Sequence, residues 1–156
     1  MTSSPASKLS RLIVGIDGSG ASRVAVEWAA AVAGQVGSEV IVVHAVGLTE
    51  RYQQRPEKSA DWRAHLEDLV RRDWSAPLAE RGVTFSVRVV EGNPVVAIVG
   101  VATEVAADLV AVGSRGIGGF SGLPLGSTSQ QLAMYSPVPV VIVPSDSSRG
   151  DSVSSM

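Results

Sequence analysis

The sequence predicts an α/β domain in which helices cover both faces of a parallel sheet. Two observations carry this. Short runs rich in Val and Ile recur at residues 12–16, 40–45, 85–90, 109–112 and 138–143, and the stretches between them space their apolar residues as helices do. Strand and helix thus alternate from end to end, the order that builds a parallel sheet with right-handed crossovers. Three of the runs are nearly continuously apolar, as strands buried on both faces are. In such a sheet ligands sit at the carboxyl ends of the strands, where the strand order reverses.

The first helix spans residues 20–36, with Ser19 or Ser22 as N-cap, Gly34 or Gly37 as stop, and Val24, Trp28, Ala31 and Val32 on one face. After the second strand, residues 46–60 (VGLTERYQQRPEKSA) form a polar connection longer than most strand-to-helix loops. It leaves from the carboxyl edge, so it is either a cover for a ligand or an ordinary surface excursion. A second helix, residues 61–81, places Trp62, Leu66, Leu69, Val70, Trp74 and Leu78 inward, with Pro77 forcing a kink or restart. Asn93 and Pro94 supply the cap and first turn of a third helix, which carries Val95, Ile98, Val99, Ala102 and Val105 inward. A fourth opens near Ser127 and ends before Pro137. The serine-rich ends, residues 1–10 and 145–156, hold too little apolar surface to offset the entropy of ordering. They are expected to be flexible tails around a domain of residues 11–144.

Composition narrows the functions. The 156 residues and an apolar content of 45% suit one domain with a sizeable core. A net charge of −2, with 13 basic residues spread along the chain, lacks the clustered positive surface that nucleic-acid binding requires. Cysteine is absent and the two histidines, His44 and His65, lie far apart in sequence, so neither a disulfide framework nor a thiolate metal site is expected. His44 reads as a packed strand-end residue and His65 as an exposed one. The first apolar run is too short for a signal-peptide core or a membrane span, which points to a soluble cytoplasmic protein without a membrane partner.

The stretch VGSRGIGGFSGLPLGSTSQQLAMYSPVPVVIV, residues 112–143, carries the chemistry. Strand four ends at Gly113; Gly116, Gly118, Gly119 and Gly122 follow; a helix then opens at Gly126, Ser127, Thr128 and Ser129. Glycines let the backbone approach a ligand, and the free N–H groups and dipole of a helix N-terminus favour a phosphate. The three hydroxyls add donors. The segment therefore reads as a phosphate cradle, against the plainer alternative of a glycine-rich surface loop with a serine cap.

Asp17 by itself is ordinary turn chemistry, but the turns after strands one and four lie side by side at a strand-order reversal, and Asp17 then shares a crevice with Gly113. Arg115, the one basic residue of the loop, either meets a phosphate or is solvated. No lysine follows Gly122 or Gly126, so a Walker A loop is absent. The first turn, GIDGSG, and the His44-Ala45 end of strand two lack the glycine fingerprint and the acid of a dinucleotide site. GFSG at residues 119–122 falls short of a nucleophile elbow.

The spacing of Gly113, two residues, Gly116, nine residues, then Gly126-Ser127 resembles the G-x2-G-x9-G-[ST] nucleotide motif of the universal stress protein family. IVGIDGS at 13–19, VVHAV at 42–46, VVEGNPVVAI at 89–98 and PVPVVIVP at 137–144 resemble the family's first, second, third and closing strands. The likeness covers residues 11–144. It implies a Rossmann-like (adenine nucleotide alpha hydrolase-like) five-stranded parallel sheet in the order 3-2-1-4-5. It also implies the ATP-binding branch of the family, with Mg2+ carried by the nucleotide.

By the same resemblance, Asp17 and Ala45 stand at the nucleoside end. Gly113, Gly116, Gly126, Ser127 and Ser129 stand at the phosphates and ribose, and Gly15, Gly18, Ser19, Ser114, Arg115 and Thr128 complete the expected contact set. The last strand, Val138 to Val143, follows two prolines and is expected at the sheet edge. The family's matching strand pairs with its copy, which implies a homodimer. The loop offers only Arg115 and hydroxyls, with no positioned base, so a regulatory module with ATP as effector is favoured over a slow ATP hydrolase or phosphotransferase. A stress protein with a vestigial pocket is the third reading.

Overall fold

The computed structural model describes residues 8–47, 59–115 and 125–145. Its elements run β1 (Arg11–Ile16), α1 (Gly20–Val36), β2 (Glu39–Val46), α2 (Ser59–Leu69), a π-helical turn (Val70–Trp74), α3 (Ala76–Glu80), β3 (Phe85–Glu91), α4 (Pro94–Glu104), β4 (Leu109–Gly113), α5 (Ser127–Tyr135) and β5 (Val140–Val143). The strands form one parallel sheet in the order β3-β2-β1-β4-β5, as the sequence predicts. Most of the polar connection after β2, the glycines Gly116, Gly118, Gly119 and Gly122, and most of both expected tails lie outside the described residues.

The continuously apolar runs are the three inner strands, and alternate residues feed two cores. On one face Leu12, Val14, Val40 and Val42 meet Ala25, Val26, Ala29 and Ala30 of α1, together with Val70 and Leu78. On the other, Ile13, Ile41, Val43, Val110 and Val112 meet Ile98, Val101 and Ala102 of α4 and Leu132 of α5. The inward stripe of α1 differs from the expected one. Its fully covered residues are small, Ala25, Ala29, Ala30 and Ala33 with Val26, while Val24, Trp28 and Val32 only flank the core. A helix that packs through alanines sits too close to the sheet to leave room beneath it for an indole.

Caps explain the element ends. Ser19, not Ser22, is the N-cap of α1, its Oγ accepting from the Ser22 N–H at 3.2 Å. Gly37, not Gly34, ends the helix, in the left-handed conformation at φ 75° that glycine adopts without strain. Asn93 Oδ1 accepts from the N–H groups of Val95 and Val96, opening α4 as expected. The second crossover helix does restart, with Pro77 in the first turn of α3, but the break precedes the proline. The buried Ser75 donates its hydroxyl to the Val70 carbonyl at 2.7 Å across the wide π turn.

The last strand begins two residues later than expected. Pro139 has no N–H to give a ladder, and only its carbonyl is used, accepting from Val110 N at 2.9 Å. Both sheet edges differ from the inner strands in exposure, and β3 alternates covered and open residues.

Candidate functional site

The strand order reverses between β1 and β4, so their carboxyl ends, with that of β2 beside them, open into one crevice. The β1 end is a tight turn. Asp17 Oδ1 accepts from the Ser19 N–H at 2.9 Å, Asp17 N donates to Ser22 Oγ at 3.4 Å, and Ser22 Oγ donates to the Ser19 carbonyl at 3.0 Å. Gly18 sits at φ 83°, and a Cβ there would lie 2.5 Å from Cζ2 of Trp74. Ala45 stands half-buried at the end of β2, paired with Val90.

The β4 end is tied to α5. Ser114 N donates to the Val143 carbonyl at 3.1 Å, and the Ser114 carbonyl accepts from Gly126 N at 2.7 Å and from Ser129 Oγ at 3.2 Å. Gly126 is the N-cap of α5, at φ −70° and ψ 163°, and no side chain caps the helix. The first N–H groups of a helix have no partner within it, so this end presents donors and the positive end of the dipole. Ser127 is exposed, Thr128 half-buried and Ser129 buried. Ser129 Oγ also faces the Gly126 carbonyl at 3.0 Å, so its proton is committed inside the protein.

Ser114 itself is 4% exposed, and its hydroxyl has no partner among the described residues; Arg115 Nε is buried and unpartnered in the same sense. An unsatisfied buried polar group costs about 1–3 kcal/mol, which a ligand oxygen at this point would offset.

Two expected contact residues are glycine for reasons internal to the fold. A Cβ on Gly15 would come within 2.6 Å of Ile98 Cδ1, and one on Gly113 within 2.6 Å of the Ala21 carbonyl oxygen. At Gly113 the obstacle is the backbone of α1, which cannot give way, whereas at Gly15 it is the far end of the Ile98 side chain, which would have to shift. Gly116 lies outside the described residues.

Two aromatic residues that the sequence marks as packed, His44 and Trp74, stand behind the Asp17 turn, a shared position that the sequence does not record. His44 is buried, and its Nδ1–H donates to the Ile16 carbonyl at 2.9 Å, an acceptor that fixes the tautomer. The ring meets Trp74 edge-on, with centroids 5.1 Å apart and planes at 88°. Helical periodicity marks Trp74 as inward, and the π turn that sets its direction leaves no such mark.

Fold and site together define a Rossmann-like α/β domain whose crevice opens between the β1 and β4 turns, with a helix N-terminus that no side chain caps at its wall. The chain belongs to the universal stress protein family, whose model matches residues 8–144. It is 32% identical over 135 residues to a universal stress protein of Thermus aquaticus, covering 85% of this chain and 96% of that one. It is 31% identical over 147 residues to universal stress protein YxiE of Bacillus subtilis, covering 85% and 97%. Among solved structures, it is similar to a universal stress protein in complex with cAMP, at 29% identity and a TM-score of 0.69, covering 90% of this chain and 100% of that one.

Proposed function

We propose that this chain is an adenine-nucleotide-binding regulatory module of the cytoplasm, built on residues 11–144, that takes ATP with Mg2+ carried by the nucleotide. One observation carries the reading. The uncapped N-terminus of α5 stands beside the buried hydroxyl of Ser114, which has no partner among the described residues, and this is donor chemistry suited to phosphate oxygens. The cAMP bound by a relative of 29% identity supports an adenine nucleotide as the class of ligand.

Ser127 and Thr128 supply backbone donors to the phosphates, Gly126 lets the chain pass close to them while its own N–H ties α5 to the Ser114 carbonyl, and Ser129 holds the first turn of α5 against β4. Asp17 and Ala45 face the nucleoside, with the Asp17 carboxylate fixed in direction by the Ser19 N–H. Arg115 adds positive charge at the same end of β4. Its buried Nε, without a partner among the described residues, is also the observation favouring the alternative, a slow hydrolase or phosphotransferase in the same pocket. Calorimetric titration with ATP–Mg2+, cAMP and NAD tests the reading. Saturable binding of adenine nucleotide without binding of NAD is expected; no heat with either ATP or cAMP overturns it.

The module is proposed to act as a homodimer through β5. The β3 edge is covered where Arg63 Nη2 donates to the Val89 carbonyl at 2.8 Å. Beside β5, a groove of about 400 Å³ is lined by Val24, Glu27 and Trp28 of α1 and by Val141, Val143 and Pro144. Met134 and Tyr135, at the end of the neighbouring α5, are 65% and 68% exposed. A second copy paired along the β5 edge would cover such surface.

A further inference from the structure

The structure assigns to Trp74 the role of positioning residue for the Asp17 turn, and so for recognition of the base-bearing end of the ligand; this rests on the nucleotide reading above. Asp17 is held from both sides by one aromatic pair. The carbonyl before it, Ile16, accepts from His44 Nδ1–H at 2.9 Å, and the residue after it, Gly18, lies against the Trp74 indole. His44 and Trp74 then brace each other at 5.1 Å.

Trp74 packs with the α1-side core, whereas Ala45 packs with the opposite one. The indole therefore supports the turn from behind and leaves the crevice itself to Asp17 and Ala45.

The local backbone is shaped for this contact at both ends. Gly18 is in the left-handed region at φ 83°, and any side chain there would collide with the indole. Trp74 ends the π turn, which the buried Ser75 closes by donating to the Val70 carbonyl. Each residue of an α-helix advances by about 100°, so the wider turn rotates Trp74 away from the direction an unbroken helix would give it. Wide turns of this kind recur at functional sites because they re-aim a side chain at a cost in helix stability. Here the re-aimed side chain reaches the turn that carries Asp17.

The test separates the base from the phosphates. Trp74→Leu keeps an apolar filling but loses the flat ring. It is expected to weaken ATP binding about tenfold or more, the scale of one lost hydrogen bond to a charged group, and to leave inorganic tripolyphosphate within about twofold. Trp74→Phe, which retains a ring, is expected to restore ATP affinity to within about threefold of the parent.

Hydrogen exchange without ligand gives an independent readout. The amide of Ser19, which donates to Asp17 Oδ1 at 2.9 Å, should be protected in the unmodified protein and exchange faster in Trp74→Leu, while the amide of Gly126, which donates to the Ser114 carbonyl, is unchanged. Equal losses for ATP and tripolyphosphate, unchanged ATP affinity, or an unprotected Ser19 amide in the unmodified protein would each overturn the assignment. If the unmodified protein binds no adenine nucleotide, the nucleotide reading fails on its own, and the exchange data still decide whether Trp74 holds the turn.

Discussion

Gly113 and Gly126 are glycines in different settings, one pressed against backbone and the other at an ordinary extended conformation. At Gly113 a methyl group would meet the backbone of α1, so a substitution there damages packing before it touches any ligand. Gly126 has an extended backbone at φ −70°, a conformation open to any residue, so strain gives no reason for its being glycine. What remains is the space above the first turn of α5. Gly126→Val is accordingly expected to abolish ATP binding while costing only about 1 kcal/mol of stability, the scale of replacing a good N-cap by a poor one. Circular dichroism with thermal melting and an ATP titration on the same sample report both. Native folding with unchanged affinity would place the nucleotide elsewhere.

Among the elements, β5 offers the clearest separation of fold from assembly. Its odd-numbered neighbours face inward, since the carbonyls of Pro139 and Val143 accept from Val110 N and Ser114 N of the β4 side. The backbone groups of Val140 and Ile142 therefore point to the open edge. Ile142→Pro removes one outward N–H and leaves the β4 ladder intact, the one kind of strand position that accommodates proline. Light scattering at micromolar protein is expected to show a dimer for the parent and a monomer for the variant, with strand content retained. A monomeric parent would remove the dimer from the proposal. The break between α2 and α3 is the other lesson at this scale. Pro77 announces a restart, but the turn that re-aims Trp74 lies upstream of it, where nothing in the periodicity of Trp62, Leu66, Leu69 and Val70 is disturbed.

For the molecule as a whole, the question is whether the proposed nucleotide is consumed or sensed. Rapid phosphoryl transfer needs a base and an electrophile placed on the reacting atoms. In this crevice the Asp17 carboxylate accepts from its own turn, and Ser129 spends its proton on two carbonyls. Purified protein with ATP–Mg2+ is therefore expected to release phosphate at well under about 1 per second, below the ordinary enzyme range. Fast, saturable release that co-purifies with the protein would favour the hydrolase alternative.

Much of the architecture is legible from residue pattern because the forces that build it are local or periodic. Continuous Val and Ile runs mark the buried strands, Asn93-Pro94 marks a helix start, and the Pro137-Val138-Pro139 segment marks an edge. The glycine spacing between Gly113 and Ser127 likewise points to one end of the sheet. Other features depend on surfaces brought together from distant parts of the chain. Which face of α1 is buried was settled by how closely its alanines approach the sheet. That Gly113 must be glycine was settled by the Ala21 backbone across the packing interface. The partnership of His44 with Ile16 and Trp74 joins β2, β1 and the second crossover helix, which no spacing in the sequence records. The sequence by itself determined the strands, the helices and the glycine-rich loop; the tertiary structure alone decided which side chains pack behind the Asp17 turn and which hydroxyl is buried without a partner among the described residues, because both depend on contacts between elements far apart in the chain.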